Sequence, residues 1–149
     1  MRGILNINGI EYEVDYSYED KLLETLRRLG LKSVRKGCET LSCSVCTVLV
    51  DKKPINSCSM FVSRVIGCEI TTVEGVPAEA EKISRLMSSE GVDQCGYCAP
   101  GFVMTLIGLK YQVKDPTDEK ILDYFRGNLC RCSGYERQLK AIKNYLEVK

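Results

Sequence analysis

Eight of the nine cysteines in this chain fall into two sets. The first is Cys38, Cys43 and Cys46, spaced C-x4-C-x2-C, followed after a gap by Cys58. The second is Cys95 and Cys98, spaced C-x-x-C, followed much later by Cys130 and Cys132, spaced C-x-C. Thiolates this close in sequence converge on a metal with little chain between them. The first spacing is the plant-type pattern of a [2Fe–2S] cluster, which takes four thiolates. Zinc is the rival. Zinc sites with four cysteine ligands pair two short knuckles. The second set, taken alone, satisfies that as well. The first fits zinc less well, because Cys58 stands by itself. Cys68, the ninth cysteine, has no partner in either pattern and reads as a small buried apolar residue in or beside a strand.

Composition narrows the chemistry. The chain has no histidine. That excludes a Rieske centre, a zinc finger with paired cysteines and histidines, and histidine-based catalysis by these residues. The net charge of +1 gives no general attraction to nucleic acid or to an anionic membrane. The basic stretch from Arg126 to Lys149 is interleaved with Glu136 and Glu147 and reads as a solvated helix face or a docking surface. MRGILNINGI lacks the pattern of an export signal. No apolar run approaches the length of a transmembrane helix. The expected location is therefore the cytoplasm, without membrane insertion. Thiols stay reduced there, so clustered cysteines point to metal rather than to disulfides.

The elements that must hold these loops can be read in order. Ile4 to Val14 reads as a hairpin turning at Asn8-Gly9. A helix follows with Leu22, Leu26 and Leu29 on one face, stopped by Gly30. Beyond the first cysteine loop, Thr47–Val50 reads as a strand, Asp51–Pro54 as a turn, Ile55–Cys58 as a strand and Glu69–Val73 as a final strand. From Pro77 the period becomes helical. One helix runs from Pro77 with Ile83, Leu86 and Met87 on a face, ended by Gly91. Pro100 opens a second, carrying Phe102, Val103, Leu106 and Ile107. Thr117 or Asp115 caps a third, with Ile121, Leu122 and Phe125, closed by Gly127. Tyr135 to Leu146 is the fourth, with Leu139, Ile142 and Leu146. The second-set cysteines then lie just before the second and fourth helices, where a bundle can bring them together at one end. The expected fold class is α+β, with a boundary near residue 76 dividing 1–76 from 77–149.

With these pieces in place, KGCETLSCSVCTV, INSC, QCGYCAPGFVMT and GNLCRCSGYERQ resemble, in order and spacing, the small iron–sulfur subunit of the molybdenum hydroxylases. That family includes xanthine dehydrogenase, aldehyde oxidoreductases and carbon monoxide dehydrogenase. The resemblance covers essentially the whole chain. Its most specific part is the QCGYC and GNLCRC pair.

The resemblance implies an N-terminal β-grasp, plant-type ferredoxin domain and a C-terminal four-helix bundle, each with one [2Fe–2S] cluster. Cys38, Cys43, Cys46 and Cys58 would hold the first cluster, and Cys95, Cys98, Cys130 and Cys132 the second. It also implies partners: a large subunit with molybdenum on a molybdopterin cofactor, and a medium subunit with FAD, assembled as a dimer of heterotrimers. Electrons would pass from molybdenum through the bundle cluster, then the ferredoxin cluster, to the flavin. The chain would be an oxidoreductase component with no catalytic residue of its own. Gln94 matches the glutamine that hydrogen-bonds the pterin, and Cys132 matches the cluster ligand nearest to it. A purine such as xanthine is the leading substrate, with aldehydes, carbon monoxide and N-heterocyclic acids open. The alternative function is a free-standing ferredoxin-like carrier. The first loop departs from the pattern: Glu39, Leu41 and Ser44 stand where the family usually has glycine. A leucine forced into a left-handed conformation costs on the order of 1 kcal/mol or more.

Overall fold

The computed structural model describes residues 1–148. Strands β1 (Arg2–Ile7) and β2 (Ile10–Asp15) form the expected hairpin. Its two-residue turn puts Asn8 at φ 54° and Gly9 at φ 78°, the type I′ signature. Alternation turns Leu5, Ile7 and Val14 inward, where Leu22, Leu23 and Leu26 of α1 (Leu22–Arg28) meet them. Gly30, at φ 95°, ends that helix. Strands β3 (Thr47–Val50), β4 (Lys53–Asn56) and β5 (Glu69–Thr71) complete a mixed sheet of order β2-β1-β5-β3-β4. β1 and β5 are parallel and the other pairs antiparallel.

Two strands differ from the expectation. The turn after β3 is only Asp51-Lys52, both left-handed at φ 48° and 65°. β4 therefore starts at Lys53, contains Pro54 and stops at Asn56, so Cys58 lies beyond it. Proline is tolerated because β4 is the sheet edge. The last strand ends at Thr71 because the Thr72 N–H donates to Asn8 Oδ1 at 2.9 Å instead of extending the ladder. A 3₁₀ turn follows at Val73–Gly75.

Four helices make up the second half: α2 (Pro77–Ser89), α3 (Ala99–Gln112), α4 (Asp118–Phe125) and α5 (Glu136–Leu146). Pro77 occupies the first turn of α2, where a missing N–H costs nothing. Thr117, not Asp115, caps α4: its hydroxyl accepts the Lys120 N–H. Tyr135 stands outside α5, at φ 71°. α2 and α4 each pack against both α3 and α5. α3 is buried on every side from Gly101 to Leu109, not only along the Phe102–Ile107 face. Its far side lies on β3 and β4, and a helix enclosed all round is apolar all round. Leu49 of β3 thereby joins the helical core. Among the described residues no helix is long and apolar enough to cross a membrane.

Candidate metal centres

The first cysteine loop leaves α1 and runs to β3. Gly37 opens it because a side chain there would strike Val45 Cγ2 at 2.6 Å and crowd Cys43 Sγ at 3.2 Å. Leu41 and Ser44 adopt φ 59° and 56°, so the loop keeps a left-handed path at two positions without glycine, while Glu39 does not need it. Leu41 is also half exposed. Cys46 is buried at the start of β3, and Cys38, Cys43 and Cys58 are partly exposed.

The four thiols act on one another's protonation: Cys43 on Cys38, and Cys46, Cys38 and Cys43 on Cys58. Hydrogen bonds from the Cys43 thiol and from backbone N–H groups of Cys43, Ser42 and Thr40 hold Cys38 down to about 6. Burial, then the neighbouring Cys46, pushes Cys58 up to about 12. Burial also raises Cys43. The loop thus aims several N–H donors at sulfur on one side and walls it off from water on the other.

The second set comes from two loops, one before α3 and one before α5. All four of its cysteines line one small pocket together with Gln94. Cys132 Sγ lies 3.6 Å from Cys95 Sγ, and Cys98 and Cys130 complete the lining. Cys95 and Cys132 are exposed. The Tyr97 N–H, then the Cys132 thiol, lowers Cys95, and the bond it gives to Cys95 raises Cys132. Cys98 is pushed up to about 12 by burial first and by Cys130 second. Burial works against Cys130, but donors from Ser133 and Cys132 and the Cys98 thiol bring it below the ordinary range. Gln94 is exposed and its Nε2 donates to the Cys132 carbonyl at 2.9 Å.

The two centres are neighbours. Cys43 of the first set lines the same narrow space as Cys98 and Cys130 of the second. The Leu129 N–H donates to the Cys43 carbonyl at 3.1 Å, one residue before Cys130. Further links went unread in the sequence. The Arg35 guanidinium donates to the Gly96 carbonyl at 2.7 Å and lies over the Tyr97 ring. The Tyr97 hydroxyl donates to the Lys36 carbonyl at 2.7 Å. The Tyr135 hydroxyl accepts the Cys130 N–H at 3.0 Å. Only the adjacency of Arg35, Tyr97 and Tyr135 to the cysteine motifs could have flagged them. Cys68, beside β5, is half-buried against the ferredoxin-side core rather than fully buried.

Each set fits a two-iron centre. Such a centre takes four thiolates; the structure gathers the second four around one pocket and draws the first four from one loop and from just past β4. Metal binding removes the thiol protons. The burial that disfavours bare thiolates at Cys58 and Cys98 is offset when the charge they face is a cation.

Comparison with known proteins agrees with this geometry. A 2Fe-2S iron-sulfur cluster binding domain family matches residues 5–66, and a [2Fe-2S] binding domain family matches residues 72–143. The chain is 39% identical to the nicotinate dehydrogenase small FeS subunit of Eubacterium barkeri, covering 96% of this chain and 93% of that one. It is 38% identical to the xanthine dehydrogenase iron-sulfur-binding subunit of Escherichia coli O157:H7, covering 96% and 92%. It is 37% identical to an aldehyde oxidoreductase of Megalodesulfovibrio gigas, covering 99% of this chain but spanning only 17% of that protein's length. Among solved structures, a chain of quinoline 2-oxidoreductase from Pseudomonas putida 86 superposes with a TM-score of 0.85 at 32% identity, covering 95% of this chain and 90% of that one.

Proposed function

We infer the role of this chain from one premise: it belongs to the family of small iron–sulfur subunits of the molybdenum hydroxylases. It is an oxidoreductase component that transfers electrons and carries two [2Fe–2S] sites. We propose Cys38, Cys43, Cys46 and Cys58 as the ligands of the first cluster, and Cys95, Cys98, Cys130 and Cys132 as those of the second. The observation that carries this assignment is the convergence of Cys95, Cys98, Cys130 and Cys132, drawn from two distant loops, on one small pocket. The sheet order, with parallel central strands β1 and β5, supports a β-grasp reading of residues 1–76. The ring of contacts among α2, α3, α4 and α5 supports a four-helix bundle over 77–149.

The clusters supply one-electron transfer, and the chain's own residues set who can exchange electrons with them. Cys95, Cys132 and Gln94 lie at the surface. That exposure supports reading the second centre as the port toward a molybdopterin-bearing large subunit. The Gln94 amide holds the Cys132 carbonyl through its nitrogen, leaving its oxygen and second N–H free for a heterocycle edge. The first centre then delivers electrons to FAD in a medium subunit, in a cytoplasmic complex read as a dimer of heterotrimers. A purine such as xanthine remains the proposed substrate class, and the xanthine dehydrogenase relative supports it. The nicotinate and aldehyde relatives keep N-heterocyclic acids and aldehydes open.

The test is metal content of the tagged chain purified anaerobically from its native host. Iron at about four per chain, the sum over two [2Fe–2S] clusters, with molybdenum and larger co-eluting subunits, is the expected result. Iron without molybdenum or companions would move the reading to a free-standing carrier, and zinc in place of iron would overturn it. Gln94→Ala should keep both clusters but weaken retention of the molybdenum cofactor. Unchanged molybdenum content and turnover would remove that role.

A further inference from the structure

The two cysteine loops meet at Ser44, and glycine makes the meeting possible. A Cβ on Gly101, in the first turn of α3, would stand 2.3 Å from the Ser44 carbonyl oxygen and 2.8 Å from Val45 Cα. Both are backbone atoms, so no flexible side chain can swing aside. Gly127 faces the same residue: a Cβ there would lie 3.2 Å from Ser44 Oγ. Ser44 has little room to retreat. It is buried at φ 56°, and its carbonyl already accepts the Thr47 hydroxyl at 2.7 Å. The residue before it, Cys43, accepts the Leu129 N–H at 3.1 Å, and Leu129 leads directly into Cys130.

We propose that Gly101 is a positioning residue for electron transfer between the two clusters. Its missing side chain seats α3 on Ser44 and so holds Cys43 against the Leu129–Cys130 peptide. This rests on the two-cluster reading above. A second glycine supplies the contrast. Gly108, two turns along the same face, would put its Cβ 2.8 Å from the Pro54 ring, on strand β4 rather than on a cysteine loop. Adding a methyl at either position lifts α3. Only Gly101 lifts it away from the junction of the two sets.

The experiment uses the complete complex in four forms: wild type, Gly101→Ala, Gly127→Ala and Gly108→Ala. Three quantities are read: iron content, amide hydrogen exchange of the peptide containing Leu129, and the magnetic splitting between the two clusters after dithionite reduction. Gly101→Ala should keep its iron, exchange the Leu129 amide several-fold faster and lose part of the splitting. Gly108→Ala should match wild type in all three. Gly127→Ala, which meets only a hydroxyl, should shift exchange and splitting in the same direction by less. It decides the matter if Gly101→Ala sheds a cluster. Wild-type exchange and splitting in Gly101→Ala, or equal losses in Gly108→Ala, would overturn the role of Gly101. A wild-type complex showing only one iron–sulfur signal would overturn the two-cluster reading instead.

Discussion

Cys38, Cys43 and Cys46 come from one loop of nine residues, with Cys58 added from just past β4. Cys95 and Cys98 must wait for Cys130 and Cys132, which arrive from the far side of α3 and α4. The first set includes a buried Cys46 and exposes none of its members fully, whereas the second leaves Cys95 and Cys132 exposed. A ligand set held in one local loop can be shaped by the backbone alone, even at the expense of strain. A set drawn from two distant loops depends on the packing that joins them. The first centre is thus a property of a loop, the second a property of a helical assembly.

The sharpest way to break that comparison is to remove one ligand from each set. Cys43→Ser should abolish the first cluster's spectroscopic signal and leave the second. Cys98→Ser should do the converse and also loosen the helical half, because its loops are joined there. Joint loss of both signals in Cys43→Ser would show that the halves stand or fall together. The Leu129-to-Cys43 hydrogen bond makes that outcome worth measuring.

A smaller effect is expected at Glu74, which ties the approach to the first loop. Its carboxylate accepts the Ser33 N–H and hydroxyl and the Thr72 hydroxyl. Burial works against the charge, but these donors leave the folded pKa below the ordinary range. The stability it contributes is therefore present above the unfolded value, near 4.3, and lost as pH falls through the lower folded value. Glu74→Gln should lower the unfolding free energy by about 0.5–1 kcal/mol at neutral pH, since water screens an exposed carboxylate. The gap from wild type should close in acid. A gap independent of pH in denaturant melts would rule out the carboxylate as its source.

Smallest of all is Leu41→Gly. Relief of a left-handed leucine is worth about 1–2 kcal/mol, and the added freedom of glycine in the unfolded chain removes about 0.5–1 kcal/mol of that. A net gain of a few tenths to about 1 kcal/mol is expected, with both clusters retained. A loss of stability would show that the half-exposed leucine side chain makes contacts worth more than its backbone costs.

What could be read in advance follows the same division. The Asn8-Gly9 hairpin, α1, the capping of α4 and the cysteine loops were legible because each is encoded within a few neighbouring residues. Pro54 misled the reading because proline signals a turn unless the strand is known to be an edge, and edges are set by topology. For α3 only Phe102, Val103, Leu106 and Ile107 were singled out, although the run from Gly101 to Leu109 is apolar all round and buried throughout; that a sheet covers its far side needs the tertiary fold. The left-handed conformations of Leu41 and Ser44 are announced by neither residue type; only the family's glycines at those positions pointed to them, and at Glu39 that pointer failed. Tyr135 looked like the first residue of a helix, and its hydroxyl's hold on the Cys130 N–H needs the folded loop to exist.

Strand β4 has one more consequence. The outermost strand of a sheet presents unpaired N–H and C=O groups to any other chain that can add a strand. Here the register sets Pro54 opposite Leu49, and proline removes one donor from that rim. Lys53, exposed beside it, adds a charge, and α3 presses Gly108 against the proline ring. The edge is therefore blunted against aggregation through sheet extension. On the function proposed above, partners would meet this chain at its cysteine loops, and its flank would not recruit copies of itself.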